Sequence, residues 1–315
     1  MTAPASPMRW WGWGADGHDA PLPARAQALL AAEIGPLPAA RRDPVALEDV
    51  RLPEPALPAA ARARLVAAVG AAHVRDDRLA RVAHAAGRGY HDLVRLRAGA
   101  LDAAPDAVVW PADAAEVAAV LRACAEEGVA VVPFGGGTSV VGGVEPWRGR
   151  FAAVVALDLA RLDRLLAVDP VSLTATVQPG MTGPALEAAL AAHGLTLGHF
   201  PQSFEHATVG GWVATRSAGQ ASTGYGRIDE LVVGVRAMTP SGELATRAVP
   251  ASAAGPRLRE LLVGSEGTLG VIVEATLRVR PRPAVRRYEA FSLPHYRAGA
   301  DALRALVQDG AAPDV

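Results

Sequence analysis

Lysine is absent from the 315 residues, so all 31 basic side chains are arginine. That absence removes the Gly-Lys-Ser/Thr loop with which many proteins grip nucleotide phosphates. The single cysteine, Cys124, has no partner for an internal disulfide and belongs to no cysteine cluster, so no metal site is expected. No uninterrupted apolar stretch approaches the ~20 residues that cross a bilayer. The opening MTAPASPMRWWGWGADG has neither the charged start nor the apolar run of a secretory leader. The expectation is a cytoplasmic protein with no transmembrane segment. A formal net charge of −1 offers no basic surface for nucleic acid.

Half of the residues are hydrophobic and a fifth are charged, as in ordinary globular proteins. The length predicts about two domains. Residues 1–100 read as an irregular and helical extension, with a helix in PLPARAQALLAAEIG and more helical pattern from 60 onward. The RWWGWG stretch at 9–14 holds three of the six tryptophans. It reads as an aromatic plug on the main body, with a docking surface or substrate-site wall as the alternative. An α+β body follows over 101–283. Strands are predicted at 107–111, 129–134, 152–159, 164–169 and 174–180. Helices are predicted at 113–127, capped by Asp113, and at 183–194. In the first, Val117, Val120, Leu121 and Cys124 fall at helical spacing, which makes Cys124 a core residue. A hairpin turning at Pro240-Ser241-Gly242 and a long strand over 270–283 complete the body. From Tyr288 a strand (288–294) and a helix (298–309) start another unit. A strand and a helix cannot bury a core alone, so 284–315 reads as the incomplete beginning of a further domain.

The apolar run at 129–134 leads into FGGGTSVVGG, with five glycines in nine positions. The dinucleotide fingerprint GxGxxG would require glycine at Val140 and a helix directly after it, and neither is present. Gly135, Gly136 and Gly137 leave consecutive amides free of Cβ atoms, and Thr138 and Ser139 add hydroxyls. Such a turn suits a diphosphate. Two more Gly/Ser/Thr-rich turns lie downstream, in QSFEHATVGGWVATRSAGQ at 202–220 and GSEGTLGVI at 264–272. Three such turns suit a long dinucleotide better than a lone phosphate.

The segments PFGGGTSVVGG, FEHATVGGWVATRSAGQASTGYGRIDELV and VGSEGTLGVI, in this order, resemble the FAD-binding domain of the vanillyl-alcohol oxidase / p-cresol methylhydroxylase (PCMH-type) flavoproteins. The resemblance extends to RWWGWG and is nearest to the ether-lipid-forming branch of that family. It implies a two-subdomain α+β FAD domain at 101–283 and a substrate cap beginning at 284. It places the cofactor on Pro133, Phe134, Gly135, Gly136, Gly137, Thr138, Ser139 and Val140. It adds Gln202, Ser203, Phe204, Glu205, His206, Ala207 and Thr208, then Thr215, Arg216, Ser217 and Ala218. The third group is Glu266, Gly267, Thr268, Leu269, Gly270, Val271 and Ile272. Some members link the flavin covalently through a histidine of the first loop. Thr138 and its neighbours offer none, so the FAD is expected to be non-covalent.

His199 and His206 are either neighbours of the flavin ring or hydrogen-bonded structural residues. Arg216 and Arg227 are expected on cofactor or backbone, and Tyr225 either near the flavin or in a turn. No catalytic residue is assigned, because the family's catalytic groups lie in the cap. The resemblance implies exchange of acyl for alkyl on glycerone phosphate. Oxidation of a 2-hydroxy acid such as D-lactate or glycolate, and a flavin-binding fragment without turnover, stay open. The expected partner is a small molecule, with a lipid phosphate as one candidate and a homodimer as one candidate assembly.

Overall fold

The computed structural model describes residues 8–17, 21–36 and 43–311. Residues 1–7 of the opening segment and 312–315 of the expected last unit lie outside them. Helices α1 (Ala24–Ile34), α2 (Ala59–Val69), α3 (Arg78–Ala83) and α4 (Tyr90–Arg97) precede the main body. The first sheet contains β1 (Val74–Arg75), β2 (Ala107–Val109), β3 (Val129–Phe134) and β4 (Ala153–Asp158), in the order β1-β2-β4-β3. β2, β4 and β3 run parallel, and β1 is antiparallel to β2. Helix α5 (Ala114–Glu126) carries the chain from β2 to β3. Parallel neighbours need a crossover, usually a helix. Between β3 and β4 the glycine-rich segment serves instead, with no helix in it. The first loop therefore leaves the carboxyl end of a parallel strand, where open α/β sheets place their ligands.

The second sheet is antiparallel: β5 (Leu165–Asp169), β6 (Thr174–Val177), β8 (Val232–Thr239), β9 (Gly242–Ala245) and β10 (Val271–Arg278), in the order β5-β6-β10-β8-β9. Between β6 and β8 lie α6 (Gly183–Ala191), β7 (Leu195–Thr196), α7 (Val209–Thr215), α8 (Ser222–Tyr225) and α9 (Ile228–Leu231). α10 (Arg259–Leu262) precedes β10, β11 (Arg280–Pro281) pairs with β7, and α11 (Tyr296–Gln308) follows. The two sheets form the expected two-subdomain α+β fold. One core lies on the second sheet under α6 and α7, with Leu186, Leu190, Trp212 and Val213 buried in it. The other joins α2 and α5 to the first sheet and reaches Met238, Val271 and Val273 of the second. Among the described residues no helix is long and apolar enough to cross a membrane.

Helix α5 follows its sequence pattern. Asp113 Oδ1 accepts the Glu116 N–H at 2.8 Å, and Glu116 Oε2 accepts the Ala112 N–H at 2.6 Å. Gly128 ends it at φ +64. Val117, Val120, Leu121 and Cys124 are buried, and burial pushes the Cys124 thiol up to about 12. RWWGWG packs as a plug: Trp10 lies against the cluster of Val50, Val82, Ala85 and Leu96, and the guanidinium groups of Arg9 and Arg97 stand over the Trp11 ring at 4.5 and 4.9 Å.

Several details differ from expectation. The long strand at 270–283 is broken after Arg278, where β10 ends and β11 joins β7 in a separate two-stranded sheet, and the strand at 174–180 stops at Val177. The wholly apolar sequence of β3 suits a strand buried along its length, but it is buried only at its two ends, because it lies at the sheet edge. The strand at 107–111 stops at Val109, where the Trp110 N–H turns to the His73 carbonyl. Residues 288–294 form no strand: they have no ladder partner and are exposed throughout, and an isolated extended segment gains nothing from its backbone hydrogen-bonding groups.

One buried carboxylate ties the frame together. Asp106, fully buried, accepts the Ala56 and Val154 N–H groups at 2.7 Å each and pairs with Arg148 at 2.6 Å. Asp106→Ala orphans both amides and is expected to cost about 3–5 kcal/mol, read as a lower urea midpoint with an unchanged slope.

Candidate cofactor cleft

The three Gly/Ser/Thr-rich turns meet along one cleft of about 360 Å³ between the two sheets. From the first turn Pro133, Phe134, Gly135, Gly136, Gly137, Thr138, Ser139 and Val140 all line it. The second contributes Ser203, Ala207, Thr208, Thr215 and Ser217, and the third Glu266, Gly267, Gly270 and Ile272. Gln202, Phe204, Glu205, His206, Arg216, Ala218, Thr268, Leu269 and Val271 are off the wall. The wall also holds Val141, Gly143, Val144, Leu159, Gly210, Gly211, Trp212 and Ala214, which sequence reading missed. A helical signal was available for part of that set, since Thr208, Gly211 and Thr215 fall at i, i+3 and i+7 on one face of α7.

The glycines of the first turn are required first by the protein itself. A Cβ on Gly135 would stand 2.3 Å from Thr208 Oγ1, and one on Gly136 would stand 1.8 Å from the His206 carbonyl oxygen. The bare backbone of the first turn thus lies directly against the second. Gly137 adopts φ +65, and the Phe134 ring occupies the side where its Cβ would point. Ser139 Oγ accepts the Val141 and Gly143 N–H groups at 3.4 and 3.2 Å, closing the turn on itself. Behind it, the Arg88 N–H donates to the Ser139 carbonyl at 2.6 Å. Among the described residues none of the six N–H groups from Gly135 to Val140 has a protein acceptor. Backbone donors in a half-buried turn are ordinarily paired, so a row of six unpaired ones suits an anion.

The third turn is fastened to the second by backbone. The Gly264 and Glu266 N–H groups donate to the Val213 and Ala214 carbonyls at 3.0 and 2.9 Å, at the end of α7. Glu266 and Arg216 both hold positive φ, at +50 and +52, a conformation that costs a non-glycine residue about 1 kcal/mol or more. Arg216 turns away from the cleft to the Val263 carbonyl (3.0 Å), Glu260 (3.0 Å) and Asp229 (3.3 Å). Arg227 is exposed and pairs with Asp229 at 3.2 Å. Tyr225 packs on Gly198 beneath Arg280, in a separate depression with Arg278.

His199 is buried, with Nε2 at 2.7 Å from Ser217 Oγ and its ring edge-on to Trp212 at 5.0 Å. Its Nδ1 has no partner, and burial lowers its pKa to about 4, so the ring is neutral at physiological pH. Beneath the first turn, a pair that the sequence did not announce fixes the end of β4. His84 Nε2 lies 2.9 Å from Asp158 Oδ2, Nδ1 lies 2.7 Å from the Ala80 carbonyl, and the ring packs on Phe134 at 4.3 Å.

Residues 105–247 match the family model described as "FAD binding domain". The chain is 39% identical over 234 residues to the alkyldihydroxyacetonephosphate synthase of Dictyostelium discoideum, covering 74% of this chain and 38% of that protein. It is 33% identical over 185 residues to a glycolate oxidase subunit of Bacillus subtilis, covering 58% of this chain and 38% of that one. A solved structure of an alkyldihydroxyacetonephosphate synthase superposes with a TM-score of 0.85 at 30% identity, over 98% of this chain and 61% of that one. The chain therefore spans about two fifths of these curated relatives' length.

Gly136→Ala forces two backbones apart and is expected to lower stability by about 2–3 kcal/mol in urea titration. The buried His199 binds its proton near pH 4 when folded and near 6.5 when unfolded. Its contribution to stability is thus complete above pH 6.5 and is lost as pH falls toward 4, by about 3 kcal/mol at most. Unfolding midpoints measured across that window should slope less in His199→Gln than in the unsubstituted protein.

Proposed function

Taking residues 105–247 as an FAD binding domain, we propose that the chain is the cofactor-holding part of a flavoenzyme of ether-lipid type. The reaction proposed is exchange of the acyl group on an acylglycerone phosphate for the alkyl group of a fatty alcohol. The observation that carries this reading is the row of unpaired amides from Gly135 to Val140, in a cleft shared with a hydroxyl-bearing second turn and a glycine-rich third one. The choice of reaction rests on the likeness to alkyldihydroxyacetonephosphate synthases, at 39% and 37% identity for two of them.

In this reading the first turn holds the diphosphate on its amides, with the Thr138 hydroxyl beside them. Thr208, Thr215 and Ser217 supply hydroxyls from the second turn, and Glu266 to Ile272 close the third side. Trp212, Ile272 and Leu159 exclude water from the deeper part of the cleft. Bound there, FAD supplies an electrophilic, redox-active ring system; the chain's own part is to bind and orient it. The first turn has Thr138 and no histidine for a loop-linked attachment, so in this reading the flavin is held without a covalent bond. The cofactor domain extends over 101–283, after an extension at 1–100 and before the start of a substrate cap at 284–315. The acid–base groups and the pocket for a small substrate carrying a lipid phosphate belong to that cap, and the assembly is a cytoplasmic homodimer.

A second reading, oxidation of a 2-hydroxy acid, is favoured by the 33% identity to a glycolate oxidase subunit. Purified protein incubated with FAD should turn yellow and release all of its flavin into the supernatant on acid precipitation. Flavin left in the pellet would contradict non-covalent binding. A protein carrying the complete cap should exchange labelled fatty alcohol into acylglycerone phosphate without an electron acceptor. Acceptor-dependent turnover of D-lactate or glycolate in its place would select the second reading.

A further inference from the structure

The first turn offers unpaired amides to an anion, yet among the described residues Glu266 is the only ionisable side chain on the cleft wall. A diphosphate there would meet amides and hydroxyls and no wall cation. The nearest candidate for the missing charge lies behind the first turn. Gly87 and Gly89 press directly against it: a Cβ on Gly87 would stand 2.2 Å from the Ser139 carbonyl oxygen, and one on Gly89 2.9 Å from that of Val140. Arg88, between them, donates its own N–H to Ser139. Its side chain turns inward, and the residue is 4% exposed.

The guanidinium of Arg88 is held by carbonyls alone: Gly87 at 2.9 Å, Arg9 at 3.2 Å and Ala86 at 3.3 Å. Among the described residues its Nε has no acceptor. Among the described residues no carboxylate forms a direct ion pair with it; the nearby Asp92 favours its charge through space but is bonded to Arg95 at 2.7 Å, which Glu145 shares at 2.6 Å, and to the Gly89 N–H at 3.1 Å. Burial pushes Arg88 down to about 10, which still leaves it charged at neutral pH. The RWWGWG plug seals this group, since the Arg9 carbonyl accepts from it. A buried cation without a direct ion pair destabilises a fold unless something offsets it.

We propose that Arg88 is the positive charge of the diphosphate site, acting from behind the first turn. Its amide positions the turn, and its guanidinium, which makes no direct ion pair in the chain alone, is available to the bound cofactor's phosphates. This rests on the FAD reading of the cleft.

The test compares FAD affinity, by fluorescence titration, with the melting temperature of the cofactor-free protein. Arg88→Met and Arg88→Gln should each bind FAD about tenfold or more weakly, as expected for a unit charge at short range in a protein interior. Their cofactor-free melting temperatures should be equal to or above that of the unsubstituted protein, because a buried charge without a direct ion pair has gone. Arg88→Lys should stay within about threefold in affinity, since charge is what counts here. If Arg88→Met does not fold, Arg88→Gln decides. Unchanged affinity in the folded neutral variants would overturn the role of Arg88 alone. Affinity lost in parallel with melting temperature, or Lys as weak as Met, would reduce Arg88 to a structural residue. Unsubstituted protein that binds no FAD would overturn the cofactor reading, and this inference with it.

Discussion

Everything around the cleft depends on two stretches of backbone approaching without side chains between them. The turn at Gly135–Gly137 lies against His206–Thr208 so closely that one methylene would separate them. That contact brings the first sheet's carboxyl ends to the mouth of the second sheet's helix α7. It also keeps the amides of the first turn out of any ladder, and so available. The same glycines that leave donors free are the ones that let the subdomains touch, so fold and site share one constraint.

Charge is managed in a consistent way. Side chains that could crowd the cleft with formal charge are drawn off: Arg216 to Glu260 and Asp229, Arg227 to Asp229. His199 is kept neutral by burial. The polar groups that remain on the otherwise apolar wall are amides, hydroxyls and, among the described residues, one carboxylate. Partial charges held rigidly in a poorly hydrated site act strongly on an anion without strong desolvation costs of their own. The exception is the buried, carbonyl-wrapped guanidinium of Arg88 behind the turn.

The relation between sequence and site is uneven, for physical reasons. The start of the first turn was legible, because a demand for missing Cβ atoms shows directly in composition, while Val141, Gly143 and Val144 further along it were missed. The second and third turns were legible as segments but not residue by residue. A tight turn sends successive side chains in different directions, so Ser203 and Ala207 reach the wall while Phe204 and His206 do not. Phe204 instead packs near-parallel to Trp212, in the core. Pairs distant along the chain left no trace, notably His84 with Asp158 and Asp106 with Arg148.

By itself the sequence determined the alternation of strands and helices, the cap of α5 by Asp113, the burial of Cys124 and the places where the backbone must be bare. These depend on local rules: periodicity, capping chemistry and the steric freedom of glycine. Only the tertiary structure decided that β3 is an edge strand, that 288–294 finds no sheet, that Arg216 leaves the cleft and that Arg88 is buried behind it. Each of those outcomes depends on which distant segment arrives alongside, and that is set by the packing of the whole chain.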